Sequence, residues 1–73
     1  MAYKQEFAER MRIIKAKEDL TNIEFANRVG VGPNTVSEYM HGRTSPTAET
    51  IRNIVEAFDV DPKWLLGVRH GRS

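Results

Sequence analysis

Cysteine is absent from the 73-residue sequence, which excludes a disulfide framework or a thiolate zinc site as the source of its stability. A reducing compartment suits such a chain as well as any other. Length is scarce too. A typical domain takes about 100 to 200 residues, so one domain is expected over residues 1–73, its core within 4–67. A chain this short buries only about 60% of the surface its unfolded form exposes, and a deep cleft between separate lobes is not expected. Charge of one sign is also lacking: 11 Lys and Arg face 10 Asp and Glu, for a net charge of +1. Residues 1–20 hold five basic and four acidic groups, 21–48 two and two, and 49–73 four and four. No segment is the basic block that marks a nucleic-acid binder by composition alone. No apolar run approaches the roughly 18 residues of a membrane span, and the start MAYKQEFAERM lacks an apolar stretch of about 7 to 15 residues behind a basic flank. A cytoplasmic protein without a membrane partner is expected.

What the sequence does contain is helical spacing. Between Lys4 and Glu18 the apolar residues Phe7, Met11 and Ile14 recur at intervals of four and three, with Ala8 beside them, which predicts a first helix. Thr21-Asn22-Ile23-Glu24 then carries a capping box, in which the Thr21 hydroxyl accepts from the third helical amide and the Glu24 carboxylate reaches back to the cap amide. The second helix turns Phe25, Ala26 and Val29 inward and stops at Gly30, whose missing Cβ permits the left-handed conformation. Pro33 follows closely and suits a first helical position, where its absent amide would have gone unpaired. The third helix, extending to His41, turns Val36, Tyr39 and Met40 inward and ends near Gly42. Arg43 to Pro46 reads as a loop, and Thr47 as the cap of a fourth helix with the face Ile51, Ile54, Val55 and Phe58. Asp61-Pro62 opens a short fifth helix, Lys63 to Leu66, closed by Gly67. Residues 68–73 bring no core side chain and are expected to fray. With no sustained alternation of period two and no repeat, the expected fold class is all-α, built of five short helices.

Two short helices joined by Gly30-Val31-Gly32 form a helix-turn-helix layout. Such a turn sets its helices at about 90 to 120°. The second can then lie in a DNA major groove while the first crosses the backbone with its positive end toward phosphate. Any corner of two helices would space its residues similarly, so the layout alone leaves DNA binding and plain packing equally open.

The residues themselves resemble a family. Leu20 to Ala26, then Val29-Gly30-Val31, Thr35-Val36-Ser37, Tyr39, Gly42 and Pro46, are similar to the Cro and repressor type of helix-turn-helix domain of lambdoid phages and bacterial XRE-like regulators. The likeness continues through Thr47 to Ile51, Ala57 to Val60 and Trp64 to Gly67, and so covers nearly the whole chain from Phe7. It implies a compact five-helix repressor-like domain. It also implies a sequence-specific transcription regulator of a phage, prophage or bacterium, bound as a dimer to a near-palindromic double-stranded operator in the bacterial cytoplasm or nucleoid.

The same resemblance assigns residues. At the position of Asn22 the family usually directs a glutamine to a phosphate, and asparagine is one methylene shorter. The base-reading face corresponds to Pro33, Asn34, Ser37 and Glu38, which a helical wheel also sets opposite Val36 and Met40. Asparagine can pair with adenine N6 and N7, glutamate can accept from cytosine N4, and proline offers an apolar surface to a thymine methyl. Thr35, Arg43 and Thr44 match phosphate contacts. Lys15 joins them, since Met40 replaces a frequent glutamate that pairs with the basic residue at the Lys15 position. Gly32-Pro33 replaces a serine or threonine cap and a polar reader, so base discrimination rests on fewer groups. Asp19 and Asp59 end helices where glycine is common, which aspartate tolerates better than most residues. Pro62 and Trp64 match a region used for dimer contact.

Plainer readings stand beside these. The third-helix face can be ordinary solvated surface. Arg10, Arg12 and Lys17 read mostly as a solvated helix face, Arg12 having some prospect of reaching DNA. Trp64, Leu65 and Leu66 divide between core and dimer surface. Ile13 and Ile23 fall off the packed faces, either as single exposed residues or as a patch for a partner, which keeps open a protein-interaction or antitoxin-like module. His41 and His70 lack cysteine or paired carboxylates at ligand spacing, and Ser37 with His41 reads as surface rather than a catalytic dyad. No metal, cofactor, small-molecule ligand or enzymatic activity is expected. Beyond Gly67 the pattern trails off, as it would in the N-terminal module of a longer repressor.

Overall fold

The computed structural model describes residues 3–67; the expected fraying of 68–73 lies outside them. Five helices follow in the predicted order: α1 (Tyr3–Glu18), α2 (Asn22–Val29), α3 (Pro33–Met40), α4 (Ala48–Phe58) and α5 (Pro62–Leu66). Three boundaries differ by one residue. The first helix begins before Lys4, the fifth includes Pro62, and the third stops at Met40, with His41 as cap residue and Gly42 in the left-handed region just beyond.

Local chemistry sets the helix ends. Both halves of the capping box form: the Glu24 amide donates to Thr21 Oγ1 at 3.1 Å and the Thr21 amide to Glu24 Oε1 at 2.8 Å. Gly30, at φ 84°, turns the chain out of α2, and its amide donates to the Ala26 carbonyl at 2.7 Å. Thr47 Oγ1 caps α4 by accepting from the Thr50 amide, and Asp61 Oδ1 caps α5 by accepting from the Lys63 amide. Asp19 and Asp59 both take the left-handed conformation, at φ 56°.

All five helices feed one core. Phe7, Met11 and Ile14 come from α1, Phe25, Ala26 and Val29 from α2, Val36, Tyr39 and Met40 from α3, Ile54 from α4 and Leu65 from α5. The Phe7 and Tyr39 rings meet edge to face at 5.3 Å. The expected face of α4 packs on the core: Ile54 is fully buried and Ile51, Val55 and Phe58 are partly covered against it, with Thr50 buried beside them. Its burial is tolerable because the Thr47 hydroxyl donates to Thr50 Oγ1 at 3.0 Å.

This packing presents α3. The helix lies against α1 and α2, α2 also packs on α4, and α5 rests on α1 and α4. Asn53 Nδ2 donates to the Val29 carbonyl at 3.1 Å, which ties α4 to the last turn of α2, just before the turn into α3.

Candidate nucleic-acid interface

With Val36, Tyr39 and Met40 in the core, helical periodicity turns Pro33, Asn34, Ser37 and Glu38 to the outside as one face. Pro33 and Asn34 are exposed at its start, and Ser37 and Glu38 half-buried one turn on. Thr35 is half-buried on the flank rather than on this face. One residue missed by the sequence reading belongs with them. His41, four positions after Ser37, is exposed as the cap residue of α3, its Nδ1 2.8 Å from the Ser37 carbonyl. The i, i+4 spacing was the available signal. The bond runs to the backbone, not to the Ser37 hydroxyl.

The helix starts also offer backbone donors. Of the amides that open a helix without an intrahelical acceptor, those of Thr21 and Glu24 are satisfied by the capping box. That leaves the amides of Asn22 and Ile23 at the positive end of α2. In α3 the cap is Gly32, which brings no side-chain bond, so the Asn34 and Thr35 amides have no cap acceptor.

An open groove of about 450 Å³ runs between the end of α1, the start of α2 and the end of α3, lined in part by Arg12, Lys15, Asn22 and His41. It brings together two of the expected phosphate contacts, Lys15 and Asn22, both half-buried. Arg12 has a role the sequence did not suggest. Its Nη1 donates to the Met40 carbonyl, so α1 supplies the cation that α3 lacks in its own last turn. Arg43 and Glu38, expected to touch phosphate and base respectively, pair with each other at 3.4 Å while remaining largely exposed. Thr44 is exposed beside them.

Pro62 and Trp64 lie on α5, which packs on α1 and α4. Leu65 is fully buried and Leu66 partly so, but Trp64 is 36% exposed. The Arg10 guanidinium lies 5.3 Å from its ring centroid, and Arg10 Nε donates to the Trp64 carbonyl at 3.0 Å. Ile13, 43% exposed, joins Trp64, Phe58 and Val60 along a small cleft, and Ile23 is exposed separately on α2. Among the described residues no three His, Asp or Glu side chains gather as metal ligands. No helix among them is long and apolar enough to cross a membrane.

Comparison with known proteins places the chain in a family. The helix-turn-helix family pattern matches residues 11–65, from the middle of α1 to α5. The cryptic phage CTXphi transcriptional repressor RstR of Vibrio cholerae is 35% identical over 54 residues, 74% of this chain and 49% of that protein. Antitoxin PezA of Streptococcus pneumoniae serotype 4 is 35% identical over 57 residues, 78% of this chain and 36% of that protein. The chain thus spans half or less of the length of these curated relatives. No solved structure matches it significantly. A match that takes in the turn, the exposed α3 face and the helices supporting them covers most of the sequence, and the chain belongs to the helix-turn-helix family.

Proposed function

We propose that the protein is a sequence-specific, double-stranded DNA-binding transcription regulator, acting as a repressor that occupies an operator and obstructs polymerase. The observation that carries this reading is the outward α3 face of Pro33, Asn34, Ser37 and Glu38, exposed at its start and half-buried one turn on, backed by a fully packed opposite side. On this reading Asn34 reads a base, with Glu38, Ser37 and Pro33 completing the face. Lys15, Asn22, Thr35, Arg43, Thr44 and the open amides of α2 hold phosphates. One such helix spans too few base pairs for high affinity, so two copies, touching through Pro62 and Trp64, sit on half-sites about 34 Å apart. The reading involves no catalysis, cofactor or small-molecule ligand, and its setting is the bacterial cytoplasm or nucleoid. Selection from a random duplex pool tests it. A near-palindromic sequence should be enriched; a pool that emerges unenriched, with random DNA bound as tightly as any member, refutes it.

A second reading, a protein-interaction or antitoxin-like module, draws on the antitoxin relative and on exposed Ile13, Ile23 and Trp64. Salt separates the two. DNA binding weakens with a log–log slope of about 0.9 per neutralised phosphate, while docking through an apolar patch is nearly flat.

A further inference from the structure

We propose that His41 is a proton-gated phosphate contact: its Nε2 engages an operator phosphate in the groove between α1, α2 and α3 as the imidazolium, so that operator binding takes up a proton. The inference rests on the DNA-binding reading and adds to it a residue and a dependence on pH. Its starting point is the 2.8 Å approach of Nδ1 to the Ser37 carbonyl. A carbonyl oxygen can only accept, so Nδ1 carries a hydrogen in both protonation states of the ring. The remaining nitrogen, Nε2, therefore changes role on titration. It is an acceptor in the neutral ring and a donor in the cation. A phosphate oxygen also only accepts. The neutral ring would set lone pair against lone pair, whereas the cation offers both an N–H and a charge. This contact needs the proton.

The surroundings suit an anion at that position. Arg12 and Lys15 of α1 line the groove beside His41, and α2 contributes the neutral Asn22. Asp19, just after α1, is the acidic residue among the lining groups. On the side of α3 the charged neighbours are Glu38 and Arg43, paired with each other at 3.4 Å. His41 also stands at the carbonyl end of α3, whose negative end is already met by the Arg12 guanidinium on the Met40 carbonyl.

The test uses the whole chain and the operator duplex recovered by selection. Affinity is read by fluorescence anisotropy at constant ionic strength from about pH 5.5 to 8.5, across the imidazole range. Wild type should bind more weakly as pH rises, approaching about tenfold per pH unit at the steepest point, as uptake of one proton requires. His41→Gln, whose side-chain amide donates at every pH, should be flat across the range, while His70→Gln should behave as wild type. NMR of the His41 ring in wild-type protein needs no substitution and should show it titrating at higher pH in the complex than free. A pH-independent wild type, a His41→Gln protein that keeps the full pH dependence, or a ring whose titration is unmoved by the duplex would each overturn the proposal. A pool yielding no enriched duplex sinks the DNA reading itself; an operator bound without pH dependence sinks only the role of His41.

Discussion

Arg12 offers the sharpest test of how α3 is held. Its guanidinium donates to the Met40 carbonyl, joining residues 28 apart in sequence, and replacing it by methionine keeps the stem while removing the donor and the charge. A hydrogen bond to a charged group contributes about 1.5 to 3 kcal/mol when well shielded. Here the bond is only part-buried and the residue is exposed overall, so solvent screening reduces the expected loss to about 1 kcal/mol. In a domain of this size that lowers Tm by about 4 to 8 °C. Arg12→Lys should recover part of the loss, because an ammonium can still donate but without the planar fork. Thermal and urea denaturation followed by circular dichroism measure both. If Arg12→Met melts with wild type yet binds operator less well, the guanidinium serves phosphate rather than the end of α3, and the reasoning fails.

Other substitutions probe the remaining claims. Asn34→Ala should cost about 1 to 3 kcal/mol on operator and relax preference at one base position, read by repeating the selection; a uniform loss over all sequences would make Asn34 a scaffold residue. Gly67→Ala should destabilise by roughly 1 to 2 kcal/mol from the left-handed backbone alone. The new Cβ would also fall 2.7 Å from Glu6 Cβ, and unchanged urea denaturation would show that α1 and α5 separate freely. Trp64→Glu should abolish cooperative filling of two half-sites while leaving single half-site affinity intact, and retained cooperativity would place the dimer contact elsewhere. Glu38→Gln should raise affinity for random duplex more than for operator, since it unmasks Arg43 and exchanges a carboxylate acceptor for a weaker amide oxygen; titrations of both duplexes decide it.

What could be read from the sequence was local. The Thr21–Glu24 capping box, the Gly30 stop and the left-handed aspartates each depend on residues within one helical turn, and they form as expected. The exposed α3 face followed from periodicity once Val36 and Met40 were assigned inward. The bonds from Arg12 to the Met40 carbonyl and from Asn53 to the Val29 carbonyl join residues 28 and 24 apart, and depend on how the helices cross. Nothing in the local spacing encodes that crossing. Thr50 was hidden for a different reason. A threonine in an amphipathic helix reads as polar surface, and its burial depends on the hydroxyl of Thr47, which the sequence reading had already committed to capping. His41 is legible by its spacing from Ser37, but that spacing alone says nothing of the groove formed with α1 and α2.

The even charge balance acquires a physical sense from the side-chain partners. Arg10 lies over Trp64 and pairs with Glu6 and Glu9 at 3.4 and 3.6 Å, Arg28 stands 5.9 Å from the Phe58 centroid, Arg43 pairs with Glu38 and Arg12 serves the end of α3. Arg10 and Arg43 are met by carboxylates and the net charge is only +1, so the long-range field of one sign is small and random DNA has little to attract it. At close range the arrangement differs. The exposed Glu38–Arg43 pair contributes at most about 1 kcal/mol, so a phosphate arriving in the right register can displace the carboxylate cheaply. Arg12 retains further N–H groups beyond the one on Met40. Under the proposed function, attraction is weak until the α2 amides, Lys15 and Asn22 meet the backbone together, and it becomes strong only when a second half-site repeats those contacts. Near-neutrality then acts on discrimination, by lowering the affinity for every sequence that cannot satisfy both halves at once.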